Sequence, residues 1–291
     1  MLAFAMALAG VVASVSPASG GPAIDTIDDA ATVAAPGAAA VRLQPPSELD
    51  CSAVRLHVMG NSIDSDVGVR DPAATWTRQM QNGLNTSPML DGLRVVNSAV
   101  PGSTVVRQNP WDPLGERPAF RFVTHVHTVI GSIPAAARSG AIVIIHPSLV
   151  DLQDTTVSAA VAVQRSIDGV RSVVNSLHAA GITHVIVLPT LPVGRWSNDL
   201  HILFIAVDLQ ARIAAQNAGL VTAGFVPAGI RSSLYDASGY GNPVYFDGFN
   251  SLDAPAGADY MHPDADGHRV IAADVGTDPR LVAALAASCT R

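Results

Sequence analysis

The stretch RLHVMGNSIDSDVG, Arg55 to Gly68, sets an apolar run against a glycine and then a serine. Read as a strand closing into a tight turn, it places Ser62 where a β-strand hands over to a helix. The same punctuation recurs downstream. Apolar runs at 53–59 (AVRLHVM), 93–97 (LRVVN), 141–146 (AIVIIH) and 183–188 (THVIVL) are separated by helical patterns, the longest near 155–180 and 201–218. A fifth run, 219–225 (GLVTAGF), reads as one more strand, with Gly181 and Gly219 placed to end the helices before the last two. A final helical region follows Pro263, with a break at GTDP, Gly276–Pro279. Nearly continuous apolar strands alternating with helices predict an α/β fold whose parallel sheet is covered on both faces.

With 48% hydrophobic residues over 291 positions, the chain can bury one sizeable core, and a single domain over 49–291 accounts for the pattern. Residues 1–18 (MLAFAMALAGVVASVSPA) are an apolar run followed by small residues, with Ser16 and Ala18 at signal-peptidase spacing. They read as an export signal, although no Arg or Lys precedes the run. The run is shorter than the roughly 20 residues that span a bilayer, so no stable membrane span is expected. Residues 19–48, rich in Ala, Pro, Gly and Ser, read as a flexible leader. The expected location is therefore secreted or in the cell envelope. The net charge is −7 and every one of the 17 bases is Arg, with no basic cluster, which argues against nucleic-acid binding. Cys51 and Cys289 bracket the folded part. In an exported protein they are expected to pair; otherwise they are two unrelated thiols.

Ligands of open α/β sheets bind beyond the carboxyl ends of the strands. The loop after the first strand carries Ser62, the second carries Asn97–Gly102, the third carries Ser148–Asp151, and a late loop reads GADYMHPDADGH. Acyl transfer needs an activated hydroxyl, a base, a group that orients the base, and donors for the oxyanion. Ser62, His262 and Asp259 are candidates for the first three roles. Asp259 and His262 are three residues apart, which brings both to one side of a turn. By itself, Ser62 reads as a helix cap ahead of a nucleophile, since the cap is a common place for Ser.

Three blocks taken together resemble the SGNH, or GDSL-type, hydrolases: GNSI (60–63), NSAVPG (97–102) and DYMHP (259–263), in that order along the chain. The resemblance runs from residue 53 to the C-terminus. It implies a flavodoxin-like three-layer α/β/α sandwich with a mostly parallel sheet. It also implies serine esterase or lipase chemistry, with Ser62 as nucleophile, His262 as base and Asp259 orienting the base. The implied oxyanion donors are the backbone N–H groups of Ser62 and Gly102, joined by an Asn side chain from a third block. No metal or organic cofactor is implied. Two positions depart from the pattern. The third block, aligned on VIIHPSLVDL (Val143–Leu152), has Ser148 at the family's Gly and Val150 at its Asn. Losing one oxyanion donor costs roughly 100- to 1,000-fold in turnover. Asn61 replaces an Asp of the first block and keeps an acceptor oxygen without its charge.

All four tyrosines, Tyr235, Tyr240, Tyr245 and Tyr260, lie between 235 and 260, with Phe246 and Phe249 among them. Trp111 and Trp196 also fall in expected loops. Ser148, Trp111, Trp196, Tyr245 and Tyr260 form the expected substrate-binding set, since aromatic loops suit stacking on a sugar or lining an acyl pocket. His125 and His127, in THVHT, match one face of a strand and no common zinc spacing, and read as structural or surface residues. Asp64, Asp66 and Asp71 read as a solvated loop. The expected activity is hydrolysis of acyl or acetyl esters on a carbohydrate, lipid or cell-envelope component. An acyltransferase using the same residues, or a catalytically impaired glycan-binding protein on the same fold, are the alternatives.

Overall fold

The RLHVM run is strand β1 (Arg55–Met59), and all but its first residue are buried. A 3-10 turn, Ser62–Asp64, follows it directly. Next come α1 (Trp76–Asn85), β2 (Arg94–Asn97), α2 (Phe122–Ser132), β3 (Ile142–Ile145) and a second 3-10 turn, Leu149–Leu152. Then α3 (Ala159–Ala179), β4 (His184–Val187), α4 (Leu200–Thr222), α5 (Ala265–Gly276) and α6 (Pro279–Ser288) complete the order. This computed structural model describes residues 50–85 except 66, 68 and 70; 92–106; 122–193 except 155; 200–226; 234–235, 241–242, 244–245; and 262–289. The chain separates into two units, Met1–Gln44 and Pro45–Arg291, and every element named here belongs to the second. The expected export signal and leader lie outside the described residues, as do Asp259, Tyr260, Trp111, Trp196, Tyr240, Phe246, Phe249 and Asp66.

The four strands form an entirely parallel sheet in the order β2-β1-β3-β4, with Leu56 opposite both Val95 and Ile142. Alternation along the strands divides the apolar residues between two faces. Leu56, Val58, Ile142 and Ile144 pack with Trp76 and Met80 of α1, Ile271 of α5 and Leu281 of α6. Met59, Val143 and Ile145 pack with Val126 of α2 and with Val170, Val173 and Leu177 of α3. All four residues of β3 are buried, as a strand covered on both faces requires. The result is the expected three-layer α/β class. The order also locates a crevice. From β1 the chain crosses to β2 on one side, then returns past β1 to β3 and β4 on the other, so the switch point lies between β1 and β3. The loops after those two strands are 60–65 and 146–153.

Two expectations fail here. The run 219–225 is not a strand: α4 continues to Thr222, and Gly224, with φ of 78°, ends it. Gly219 stays within the helix because its missing side chain admits Ile167 of α3; a Cβ there would run into the Ile167 Cδ1. The glycine marks close helix packing rather than a helix end. THVHT is likewise helical, in α2, with His125 buried and His127 exposed. Two residues apart on a helix, they do not share a face. The break at GTDP is present, with Asp278 capping α6 and Pro279 at its first position.

Cys51 and Cys289 form a disulfide closing 238 residues. Among the described residues, no helix is long and apolar enough to cross a membrane. Cross-linking so long a loop restricts the unfolded chain by about 5 kcal/mol in the chain-entropy model. The Cys51→Ser/Cys289→Ser variant is therefore expected to lose up to about that much unfolding free energy, read from urea denaturation against the oxidised parent.

Candidate active site

The turn that carries Ser62 is held by a capping box. Asn61 Oδ1 accepts the Ile63 N–H at 3.0 Å, and Asp64 Oδ2 accepts the Asn61 N–H at 2.9 Å. The Asp64 N–H reaches the Asn61 carbonyl at 3.1 Å and the Ser65 N–H reaches the Ser62 carbonyl at 3.3 Å. Ser62 is thus the one residue of 61–65 whose N–H has no acceptor among the described residues. Asn61, not Ser62, is the cap. Gly60 is required just before it, since a Cβ there would collide with the Asp64 carboxylate.

Asp64 is not a solvated loop residue. It is fully buried, and its carboxylate also accepts the Trp76 Nε1–H at 2.9 Å and meets His146 Nδ1 at 2.6 Å. Trp76 donates its backbone N–H to Nδ1 of His268, at 3.1 Å, so this buried imidazole from α5 joins the same cluster. None of Asp64, Trp76, His146 and His268 stood out in the sequence as a group. The only local trace is the Asn61-to-Asp64 spacing of a capping box.

The second block is tied to the first. Ser103 Oγ and the Val100 N–H both donate to the Gly60 carbonyl, at 2.7 and 3.1 Å, and Asn97 Nδ2 donates to the Asp64 carbonyl at 2.7 Å. Gly102 is buried with φ of 72°, the left-handed region that disfavours any residue with a Cβ. In the third block, Asn61 Nδ2 donates to the His146 and Pro147 carbonyls, at 3.4 and 3.3 Å. An Asp at 61 has no donor for these contacts, which explains the amide in this chain. Ser148 caps the second 3-10 turn, its Oγ accepting the Val150 N–H at 3.1 Å. Val150 is a core residue, 3% exposed, in the cluster that holds Leu149 and Leu152. Asp151 Oδ1 accepts the Val105 and Val106 N–H groups at 2.9 and 3.2 Å, pinning the chain just past Gly102. Burial pushes its carboxyl up to about 7, and the hydrogen bonds from Val106, Val105 and Ser166 oppose that shift.

His262 comes from 200 residues beyond Ser62, and its Nε2 lies 2.9 Å from Ser62 Oγ. At 4% exposure, the ring is largely shielded from water. Asp264, two residues on, starts α5 by accepting the Gly267 N–H at 2.7 Å, and its own N–H donates to the Tyr245 carbonyl at 3.1 Å. Tyr245 is half-buried and packs against the core cluster under α5. A hydroxyl within hydrogen-bond reach of an imidazole, beside an N–H without an acceptor, is an arrangement suited to general-base attack on a carbonyl carbon.

No family model and no curated protein matches the sequence. Solved structures do match. The inhibitor-bound aryl esterase of M. smegmatis aligns with a TM-score of 0.52 and 15% identity, over 79% of this chain and 99% of the other. A GDSL-like lipase of Bacteroides thetaiotaomicron aligns at 0.49 and 17% identity, over 80% and 88% of the two chains. A carbohydrate acetylesterase of Sinorhizobium meliloti aligns at 0.49 and 14% identity, over 79% and 99%. The M. smegmatis likeness supports an SGNH-type α/β fold for this chain.

Burial lowers the His268 imidazole to about 4, opposed by the Asp64 charge and the Val67 backbone and reinforced by His262. The unfolded chain takes up this proton near pH 6.5 and the native one only near 4. His268 therefore contributes stability that is full above about 6.5 and is lost as the pH falls toward 4. His268→Gln keeps an acceptor for the Trp76 N–H but does not titrate. The stability gap between parent and variant is expected to shrink by roughly 2 kcal/mol between pH 7 and 4.5, read from urea denaturation at each pH.

Proposed function

We propose that the protein is an exported serine ester hydrolase that works through an acyl-enzyme on Ser62. The single observation that carries this reading is the 2.9 Å approach of His262 Nε2 to Ser62 Oγ. The Ser62 N–H without an acceptor supports it. In the first step His262 takes the Oγ proton as Oγ adds to the ester carbonyl carbon. The carbonyl oxygen becomes an oxyanion, stabilised by the Ser62 and Gly102 N–H groups. Collapse of this intermediate breaks the bond to the alcohol, and the His262 proton passes to the leaving oxygen. A water molecule then repeats the sequence on the acyl-enzyme, giving the acid and restoring Ser62. Asp259 holds the imidazole in the tautomer that leaves Nε2 unprotonated.

The substrate is an acyl or acetyl ester on a carbohydrate, lipid or cell-envelope component, met outside the cytoplasm. The Cys51–Cys289 disulfide supports that location, because such bonds persist in oxidising compartments. Trp111, Trp196, Tyr245 and Tyr260, with Ser148, belong to the substrate side of the site in this reading.

The parent is expected to hydrolyse p-nitrophenyl acetate and to take up one equivalent of a serine-directed phosphonate, with Ser62→Ala and His262→Ala each lowering kcat by roughly 10⁴- to 10⁶-fold. Absence of both turnover and adduct in the folded parent rejects the proposal.

A further inference from the structure

With the Val150 side chain in the apolar core, the oxyanion of the hydrolase reading meets two backbone N–H groups, those of Ser62 and Gly102. The placement of Gly102 then weighs more heavily than in a site with three donors. Its loop is anchored at two points. The Val100 N–H and Ser103 Oγ donate to the Gly60 carbonyl, at 3.1 and 2.7 Å. Just beyond, Asp151 Oδ1 accepts the Val105 and Val106 N–H groups, at 2.9 and 3.2 Å. Residues 102–105 between these anchors are all buried. Val105 also lies close against α3, where a Cβ on Gly169 would collide with the Val105 carbonyl oxygen. A close-packed segment transmits displacement, so a shift at Val105 reaches Gly102, three residues away.

Asp151 is itself 1% exposed, and hydrogen bonds are what hold its carboxylate. Ser166 Oγ of α3 lies 3.4 Å from Oδ2 and accepts Gln216 Nε2 of α4 at 2.6 Å, which leaves the hydroxyl proton for the carboxylate. Among the described residues no ion pair reaches Asp151. The charged and titratable groups around it have other contacts. Arg212 of α4 donates to the Leu152 and Asp154 carbonyls, Arg165 of α3 pairs with Asp154, Asp168 pairs with Arg171, and His146 after β3 pairs with Asp64.

A hydrogen bond to an ionised carboxylate is about twice as strong as one to a neutral acceptor, so the hold on Val105 and Val106 weakens when Asp151 takes up a proton. Building on the serine ester hydrolase reading, we propose that ionised Asp151 positions the Gly102 oxyanion donor, which makes turnover depend on a second ionisation besides that of His262. Burial raises the Asp151 carboxyl to about 7, so this ionisation falls in the neutral range. As the pH drops through it, the donor loosens and kcat falls while KM changes little. His268 does not supply the second proton, because burial lowers its imidazole to about 4.

The test measures kcat and KM for p-nitrophenyl acetate against pH in the full chain. Asp151→Asn keeps an acceptor for the two N–H groups and does not titrate. Ser166→Ala removes a donor that favours the carboxylate. Thermal midpoints confirm folding. In the parent, two protons are expected to govern the acid limb of kcat. In Asp151→Asn one proton is expected to remain, and kcat on the alkaline plateau to be roughly 10- to 100-fold lower with KM little changed. Ser166→Ala is expected to move the upper midpoint of the acid limb up by roughly half a pH unit, since the carboxylate loses a stabilising hydrogen bond. This variant decides the matter if Asp151→Asn does not fold. If the parent turns over with a single proton on its acid limb, or Asp151→Asn keeps two, or Ser166→Ala moves neither midpoint, the inference is wrong and the hydrolase reading stands. A folded parent with neither turnover nor phosphonate adduct removes both.

Discussion

The Asp64 carboxylate is the constraint on which the sheet edge depends. A carboxylate withdrawn from water is costly unless donors replace its hydration, and this one gathers an N–H from its own turn, one from the α1 indole and one from the histidine after β3. Those donors come from three separate parts of the chain. Satisfying the carboxylate therefore places the nucleophile turn, the first helix and the third loop relative to one another. Ser62, two residues before it, is left with little freedom. Gly60 belongs to the same constraint, since any side chain there displaces the carboxylate.

The loops are then joined to one another rather than to solvent. Gly60 offers its carbonyl to Ser103 and Val100, Asn97 reaches the Asp64 carbonyl, and Asp151 gathers the N–H groups of Val105 and Val106. Each block thus supports its neighbour across the sheet edge, and a candidate oxyanion region bounded by Ser62, Gly102 and the loop after β3 is held from several sides. His262 is brought in from the far end of the chain by the start of α5, which Asp264 caps and which packs, through His268, on Trp76. The disulfide closes that same long excursion at its two ends.

The substitutions that set this chain apart from the SGNH pattern have different physical meanings. Asn61 is an exchange of charge for a donor, and the His146 and Pro147 carbonyls use it. Val150 is an exchange of a polar group for core packing. Asp151, beside it, keeps a structural task that its burial makes expensive to ionise and that its hydrogen bonds offset.

Acyl-transfer chemistry and the resemblance of three motif blocks paired Ser62 with His262; the sequence by itself determined the parallel α/β class, four of the strands and the break between the last two helices. These follow from periodicity and turn chemistry, which are properties of neighbours along the chain. It misread 219–225 as a strand because an apolar run after a glycine looks the same whether the glycine ends a helix or admits a neighbouring one, and only Ile167 distinguishes them. It read Asp64 as solvated because an acid in a polar loop carries no local mark of burial. Its partners Trp76 and His146 lie 12 and 82 residues away. The 2.9 Å approach of Ser62 to His262 and the burial of Val150 were likewise decided only by the tertiary structure. Pairing and desolvation depend on distances between remote residues, and no local pattern encodes them.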